Sequence, residues 1–93
     1  MMSSIPFDRS KLTMTDIDRE VLRVAIIAEL DAVNLYEQLA AVTESEALKK
    51  VFLDIAKEEK THAGEFQALL LMVDEEQKAE LEAGRKEVEE LLE

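Results

Sequence analysis

Apolar residues recur along this chain at alternating steps of three and four, the spacing of helices that pack side by side. A first row of such positions consists of Leu22, Ile26, Glu29, Val33, Tyr36 and Ala40. A second row consists of Leu48, Phe52, Ile55, Glu59, His62, Phe66, Leu69 and Val73. We refer to these rows as the first and the second seam. The pattern predicts two long helices, each of which turns its seam toward another helix.

Helix-capping residues divide the chain into three predicted helices. Each predicted cap is followed three residues later by a polar residue that completes the capping signal. The caps are Thr15, Thr43 and Asp74, and the helices that they open cover 15–42, 43–73 and 74–93. Since only a few residues separate the first two helices, we expect them to fold back as an antiparallel hairpin. Residues 1–14 are predicted to form an irregular arm whose Ile5 and Phe7 dock on a neighbour.

The composition favours a single small all-α domain. The chain has 93 residues with two glycines and one proline, which is typical of helices joined by short turns. Its hydrophobic fraction of 47% is more than one helical hairpin can bury alone. We therefore predict an antiparallel two-helix hairpin with a short C-terminal helix, which dimerises into a four-helix bundle.

The charge and the cysteine count exclude several classes of partner. The formal net charge is −11, with 22 acidic and 11 basic residues, which argues against binding to nucleic acid or to an anionic membrane. The chain has no Cys, so disulfides, thiolate metal sites and iron–sulfur clusters are ruled out. The longest apolar stretches are too short to span a bilayer, and no signal-peptide pattern occurs. We expect a soluble, cytosolic protein whose natural small ligands are cations.

Three ionisable residues interrupt the seams, and the hairpin predicts that they meet. They are Glu29, Glu59 and His62. In an antiparallel hairpin that turns near residue 44, positions equally far from the turn lie at the same height, which makes Glu29 level with Glu59. The same reasoning makes Tyr36 level with Phe52. A carboxylate of the first helix is therefore expected to face a Glu-x-x-His pair of the second.

Buried carboxylates need a compensating group, and the seams contain no Lys or Arg to supply one. Arg23, Lys57 and Lys60 all fall on flanking positions. A proton or a metal ion remains, and iron suits oxygen ligands combined with imidazole. Four-helix di-iron proteins use one Glu from each of two helices and a Glu-x-x-His from each of the other two. One hairpin offers half of that set, so a two-fold dimer would complete it.

Two stretches carry a resemblance to a known family. They are AELDAVNLYEQLA at Ala28–Ala40 and EEKTHAGEF at Glu58–Phe66. Over about residues 16–73 the chain resembles the encapsulated ferritins, two-helix members of the ferritin-like superfamily. This resemblance implies a hairpin that dimerises to complete a di-iron ferroxidase centre, and dimers that form a ring, usually a decamer. It also implies that Fe(II) is oxidised with dioxygen and stored as mineral inside an encapsulin shell.

The resemblance also assigns roles to individual residues. Glu29, Glu59 and His62 fall on the iron ligands, and Tyr36 falls on the tyrosine beside the centre. Asp31 falls on one of two carboxylates at the site through which metal enters.

Two positions depart from the family pattern. Ala28 stands where the second carboxylate of the metal-entrance site is found, and Leu35 replaces a common Trp. Glu58 is a further candidate for contact with metal. The family's shell-targeting peptide does not follow Glu93, which leaves either a truncated chain or a domain fused to the shell protein.

The same residues also allow other interpretations. A lone seam histidine is more often a packing residue than a ligand, and Tyr36, Asp31 and Glu58 have ordinary structural explanations. The site could belong to a peroxide reductase like the rubrerythrins, although the absence of Cys removes their built-in electron donor. Alternatively, the chain could be a non-enzymatic acidic oligomerisation module, or the dimer axis could hold a structural zinc ion.

Overall fold

A computed structural model describes residues 14–93, which form three α-helices. They are α1 at Met14–Val42, α2 at Glu46–Val73 and α3 at Glu75–Leu92. No strand occurs within this range, so the predicted all-α class is confirmed. None of the three helices has a stretch long and apolar enough to cross a membrane. Most of the predicted arm, including Ile5 and Phe7, lies outside the described residues.

The helix starts differ from the predicted ones at two of three positions. Thr15 lies inside α1, which already includes Met14, so it is not the cap. The cap of α2 is Ser45, whose Oγ accepts a hydrogen bond from the Leu48 N–H at 3.2 Å. The predicted cap Thr43 is wrong because its Oγ1 accepts from the Ser45 N–H at 3.2 Å and so closes the turn before the helix. Asp74 caps α3, as predicted, by accepting from the Gln77 N–H at 3.0 Å.

The assignment of Ser45 as the cap predicts a measurable loss of stability when its hydroxyl is removed. Ser45→Ala is expected to lower the free energy of unfolding by about 1 kcal/mol, because an N–H of the first turn loses its acceptor. Urea denaturation followed by circular dichroism at a fixed protein concentration measures this loss. Ser45→Asp, which keeps a capping oxygen, is the control and should restore stability. An unchanged midpoint in the alanine variant would mean that Thr43 carries the capping role.

The hairpin buries a line of mostly small residues and leaves the seams partly open. The buried apolar residues on α1 are Val33 and Ala40, and those on α2 are Ala56, Ala63 and Leu70. They are spaced by seven, and the alanines allow the two helices to approach closely. Most positions of the two seams lie outside this line of buried residues. Each helix has an apolar stripe wider than a single neighbouring helix can cover.

The uncovered seam positions of both helices lie on one side of the hairpin, which we refer to as the front face. It consists of the partly or fully exposed seam residues Leu22, Glu29, Tyr36, Leu48, Phe52, Ile55, Glu59, His62, Phe66 and Leu69. Leu48 and Leu69 remain 50% and 48% exposed. The rings of Tyr36 and Phe52 stack with centroids 6.2 Å apart, so these two residues are level as predicted. A single chain thus leaves an apolar face open to solvent, with ionisable residues at its middle.

The third helix makes few contacts with the rest of the chain. It makes few contacts with α2, and it has no buried residue. The described part of the molecule is accordingly flat, with extents of 48 × 44 × 19 Å. Its apolar side chains are exposed at Leu81, Val88, Leu91 and Leu92. The hairpin formed by α1 and α2 is therefore the unit that positions the candidate site.

Candidate metal centre

The structure brings the three interrupting seam residues together at the middle of the front face. Glu29 projects from α1, while Glu59 and His62 project from successive turns of α2. His62 Nδ1 lies 3.5 Å from Glu29 Oε2 and 3.6 Å from Glu59 Oε2. One ligand atom from each of the three residues fits within a 4.8 Å span. This span is short enough for all three side chains to reach one ion.

The two carboxylates are mostly shielded from water, and their negative charge is poorly compensated. The side chains of Glu29 and Glu59 are 19% and 20% exposed. Oε2 of Glu29 is buried and has no hydrogen-bond partner among the described residues. The nearby Lys60 instead pairs with Glu37 at 3.2 Å. Leaving a carboxylate oxygen buried without a hydrogen-bond donor is costly, so a cation bound between these side chains would stabilise the cluster.

The donor set fits a transition-metal ion with a preference for oxygen and imidazole. Two carboxylates and one imidazole form the set, and the orphaned Glu29 oxygen supplies a free acceptor. Iron and related divalent metals accept this combination. Three donors leave further coordination positions open. Glu29 and His62 line a groove of about 270 Å³ on the front face, so a second molecule can reach those positions.

The remaining sequence candidates lie outside the three-residue cluster. Tyr36 is partly buried one heptad away from Glu29 on the front face and stacks on Phe52. Asp31 lies instead along a groove on another side of α1, beside Ala28 and Leu35. Glu58 is exposed on α2. Within one chain, neither Asp31 nor Glu58 joins the cluster.

Sequence reasoning missed one ionisable residue of the groove. Glu65 lines it together with Glu29 and His62, next to the apolar side chains of Phe66 and Leu69. The signal was present in the sequence, because Glu65 follows His62 by the same three residues that separate His62 from Glu59. It was overlooked because Glu65 is not a seam position.

Comparison with known proteins shows the family of the chain. The family model described as Rubrerythrin matches residues 20–92. The chain belongs to the rubrerythrin family. A crystal structure of the encapsulated ferritin domain from Pyrococcus furiosus superimposes with a TM-score of 0.84 at 52% identity, covering 98% of this chain and 95% of that one. The resemblance to the encapsulated ferritins is thereby confirmed.

Two curated relatives in the same comparison are longer than this chain. A ferritin-like-encapsulin shell fusion protein of Pyrococcus furiosus is 61% identical over 72 residues, which is 77% of this rubrerythrin-family chain and 21% of the relative. The encapsulin nanocompartment cargo protein EncC of Myxococcus xanthus is 39% identical over 69 residues, or 74% of this chain and 52% of the relative. The chain thus spans about a fifth of the first relative and about half of the second.

Proposed function

We propose that this protein is a ferroxidase, which oxidises Fe(II) to Fe(III) with dioxygen at a di-iron centre formed between two copies of the chain. The observation that carries the proposal is the cluster of Glu29, Glu59 and His62, in which one buried oxygen of Glu29 has no hydrogen-bond partner. The cluster lies on an open apolar face rather than inside the hairpin. A site completed from outside the chain accounts for both features.

A two-fold dimer through the front face would supply the missing half of the site. Two copies contribute four carboxylates and two imidazoles, the set that four-helix di-iron proteins use. In a two-fold arrangement the same residues face each other across the axis, so one cluster implies the second. The dimer would also cover the half-exposed leucines of the front face. We further propose that such dimers form a ring, a decamer by analogy with the encapsulated ferritins.

In this proposal iron is the substrate, and the protein supplies ligands and shelter. Glu59 and His62 bind from one helix and Glu29 binds from the other. Two Fe(II) ions give up one electron each, and dioxygen takes both electrons with two protons to become hydrogen peroxide. Carboxylates stabilise the higher charge of the Fe(III) product. The apolar side chains of Phe66 and Leu69, which line the same groove, keep bulk water from the ligands.

The other sequence candidates take supporting roles in the proposal. Tyr36, which Phe52 holds by stacking, is the aromatic neighbour of the centre. Asp31 and Glu58 are outer carboxylates that would attract Fe(II) before it reaches the ligands. The alanine at position 28 leaves Asp31 without the second carboxylate of the family pattern.

We also propose an encapsulin shell as the partner and a cytoplasmic nanocompartment as the location. What supports this is the pair of curated relatives, one described as a shell fusion protein and the other as a cargo protein. The hairpin has no enclosed cavity in which mineral could accumulate. A shell around it would provide the storage space that a ferroxidase of this size needs.

A rubrerythrin-like peroxide reductase is the second candidate, favoured by the family model that the chain matches. The two functions differ in their oxidant. We expect protein loaded anaerobically with two Fe(II) per dimer to be oxidised promptly by dioxygen, with one dioxygen consumed per two iron ions at the outset. Stopped-flow absorbance and an oxygen electrode measure these quantities, and protein-free Fe(II) is the control for autoxidation.

Each outcome of this experiment assigns one of the functions. Oxidation by hydrogen peroxide alone, with dioxygen no faster than the protein-free control, would replace the ferroxidase with the peroxide reductase. Failure to bind Fe(II) at all would favour the oligomerisation module. A separate metal analysis of protein purified without added metal tests the structural zinc ion, which retained zinc would favour.

A further inference from the structure

The direction of α3 requires an explanation, because packing against the hairpin does not provide one. α3 has no buried residue and makes few contacts with α2. That joint is a single non-helical residue, Asp74, with φ −138° and ψ 88°. One residue between two helices can adopt other extended conformations at little cost. Contacts at the joint can therefore decide the angle between α2 and α3.

Two arginines of α1 contact the joint from successive turns. Arg23 Nη2 donates to Asp74 Oδ2 at 2.7 Å, and Arg19 Nε donates to the Val73 carbonyl at 3.2 Å. Val73 is the last residue of α2 and Asp74 caps α3, so each arginine binds one side of the joint. These contacts connect positions 51 and 54 residues apart in the sequence.

The burial and the charge of the joint make these contacts effective. Asp74 is 7% exposed and is the only buried charged residue in the described part of the chain. The Gln77 N–H holds the pKa of the Asp74 carboxyl below its usual range, and Arg23 and Arg19 of α1 act in the same direction against the effect of burial. The carboxylate therefore stays ionised in the folded chain down to low pH. Arg19 in turn lies at the C-terminal end of α2, where a cation is favoured by the helix dipole.

We propose that Arg19, Arg23, the Val73 carbonyl and Asp74 form a clasp that sets the direction of α3, and that α3 becomes a hinged arm when the clasp is broken. The clasp lies apart from the metal centre. No residue of α3 lines the groove that contains Glu29 and His62. Instead, α3 meets the hairpin at a separate groove, which Gln77 and Leu81 line together with Arg23.

The consequence of the clasp concerns the exposed apolar side of α3. Leu81, Val88, Leu91 and Leu92 are carried on an 18-residue helix, about 27 Å long at ~1.5 Å per residue. A small change of angle at the joint moves the far end of such a helix by many ångströms. Arg19 and Arg23 thus act as positioning residues for the surface that α3 presents to other molecules.

The distance between two spin labels tests the clasp directly. Because the chain has no Cys, Lys57→Cys on α2 and Glu90→Cys on α3 provide unique sites, and both positions are exposed. Labelled chains are diluted with unlabelled ones so that only distances within one chain are measured. We expect one narrow distance when the clasp is intact. Arg23→Gln and Asp74→Asn are each expected to replace it with a broad distribution.

The variants separate the clasp from the folding of α3 itself. Asparagine is a good helix cap, so Asp74→Asn keeps the start of α3 and removes only the charge. Arg85→Gln is the matched control, since Arg85 pairs with Glu82 and Glu89 inside α3. It should leave the narrow distance unchanged.

Two results would overturn the proposal. One is a narrow, unshifted distance in both clasp variants, which would mean that packing alone directs α3. The other is melting of the hairpin, detected by circular dichroism in the same samples. That result would make the contacts a general stabiliser of the fold. Neither result depends on whether the ferroxidase proposal is correct.

Discussion

Glu59→Ala and His62→Ala will each slow the oxidation of Fe(II) by at least about tenfold, because loss of even an indirect supporter of a metal site costs about 10- to 100-fold in affinity or activity. In the proposed dimer every substitution occurs twice, so both halves of the centre lose the same ligand. The Glu-x-x-His pair is the part of the cluster that comes from one helix. Each single substitution leaves two of the three ligands in each chain.

Stopped-flow absorbance after mixing anaerobic Fe(II)-loaded protein with dioxygen measures the rates, and isothermal titration measures Fe(II) binding. Glu80→Ala is the control, because it removes an exposed carboxylate of α3 without approaching the centre. It should oxidise Fe(II) at the wild-type rate. Wild-type rates in both ligand variants would refute the assignment of the site. A loss of equal size in Glu80→Ala would show that general negative charge, rather than ligation, drives the reaction.

The cluster of Glu29, Glu59 and His62 was predictable from the sequence because it depends on few physical facts. Helical spacing assigns each residue to a seam, and an antiparallel hairpin with a short turn fixes their relative heights. The distances of 3.5 and 3.6 Å between His62 and the two carboxylates agree with this reasoning. The stacking of Tyr36 on Phe52 agrees with it at a second height.

How much of each seam the hairpin buries could not be predicted in the same way. Spacing gives the direction in which an apolar stripe faces, but not how much of the stripe one neighbouring helix covers. Ala56 and Ala63 form the closest contact because they are small, which turns the larger seam residues toward the front face. The prediction of the α2 cap failed for a local reason. Thr43 and Ser45 both offer a hydroxyl, and only the geometry of the turn selects between them.

The direction of α3 could not be predicted at all. The capping signal of Asp74 indicates that a helix begins, but not where it points. That depends on Arg23, which is 51 residues away in sequence and stands outside both seams. Charged residues on flanking positions have many possible partners, so their pattern carries no information about a specific pair.

A lysine at the edge of the front face is expected to abolish both assembly and activity without touching a ligand. Leu48 is 50% exposed in one chain and lies about 21 Å along α2 from His62, at ~1.5 Å per residue. In the proposed dimer Leu48→Lys places two unpaired charges in an apolar interface, each of which costs several kcal/mol. Native mass spectrometry should find monomers, and Fe(II) oxidation should fall to the protein-free rate.

Leu53→Lys is a closely matched control for this variant. Leu53 is 49% exposed on the same helix, but the step of five residues from Leu48 rotates it by about 140° away from the front face. This variant should keep the front-face dimer, one di-metal centre per dimer and the wild-type rate. A monomeric Leu48→Lys protein with full activity would show that one chain suffices for catalysis. A Leu48→Lys protein that still dimerises would place the subunit interface elsewhere, and the half-site on each front face would then need a different partner.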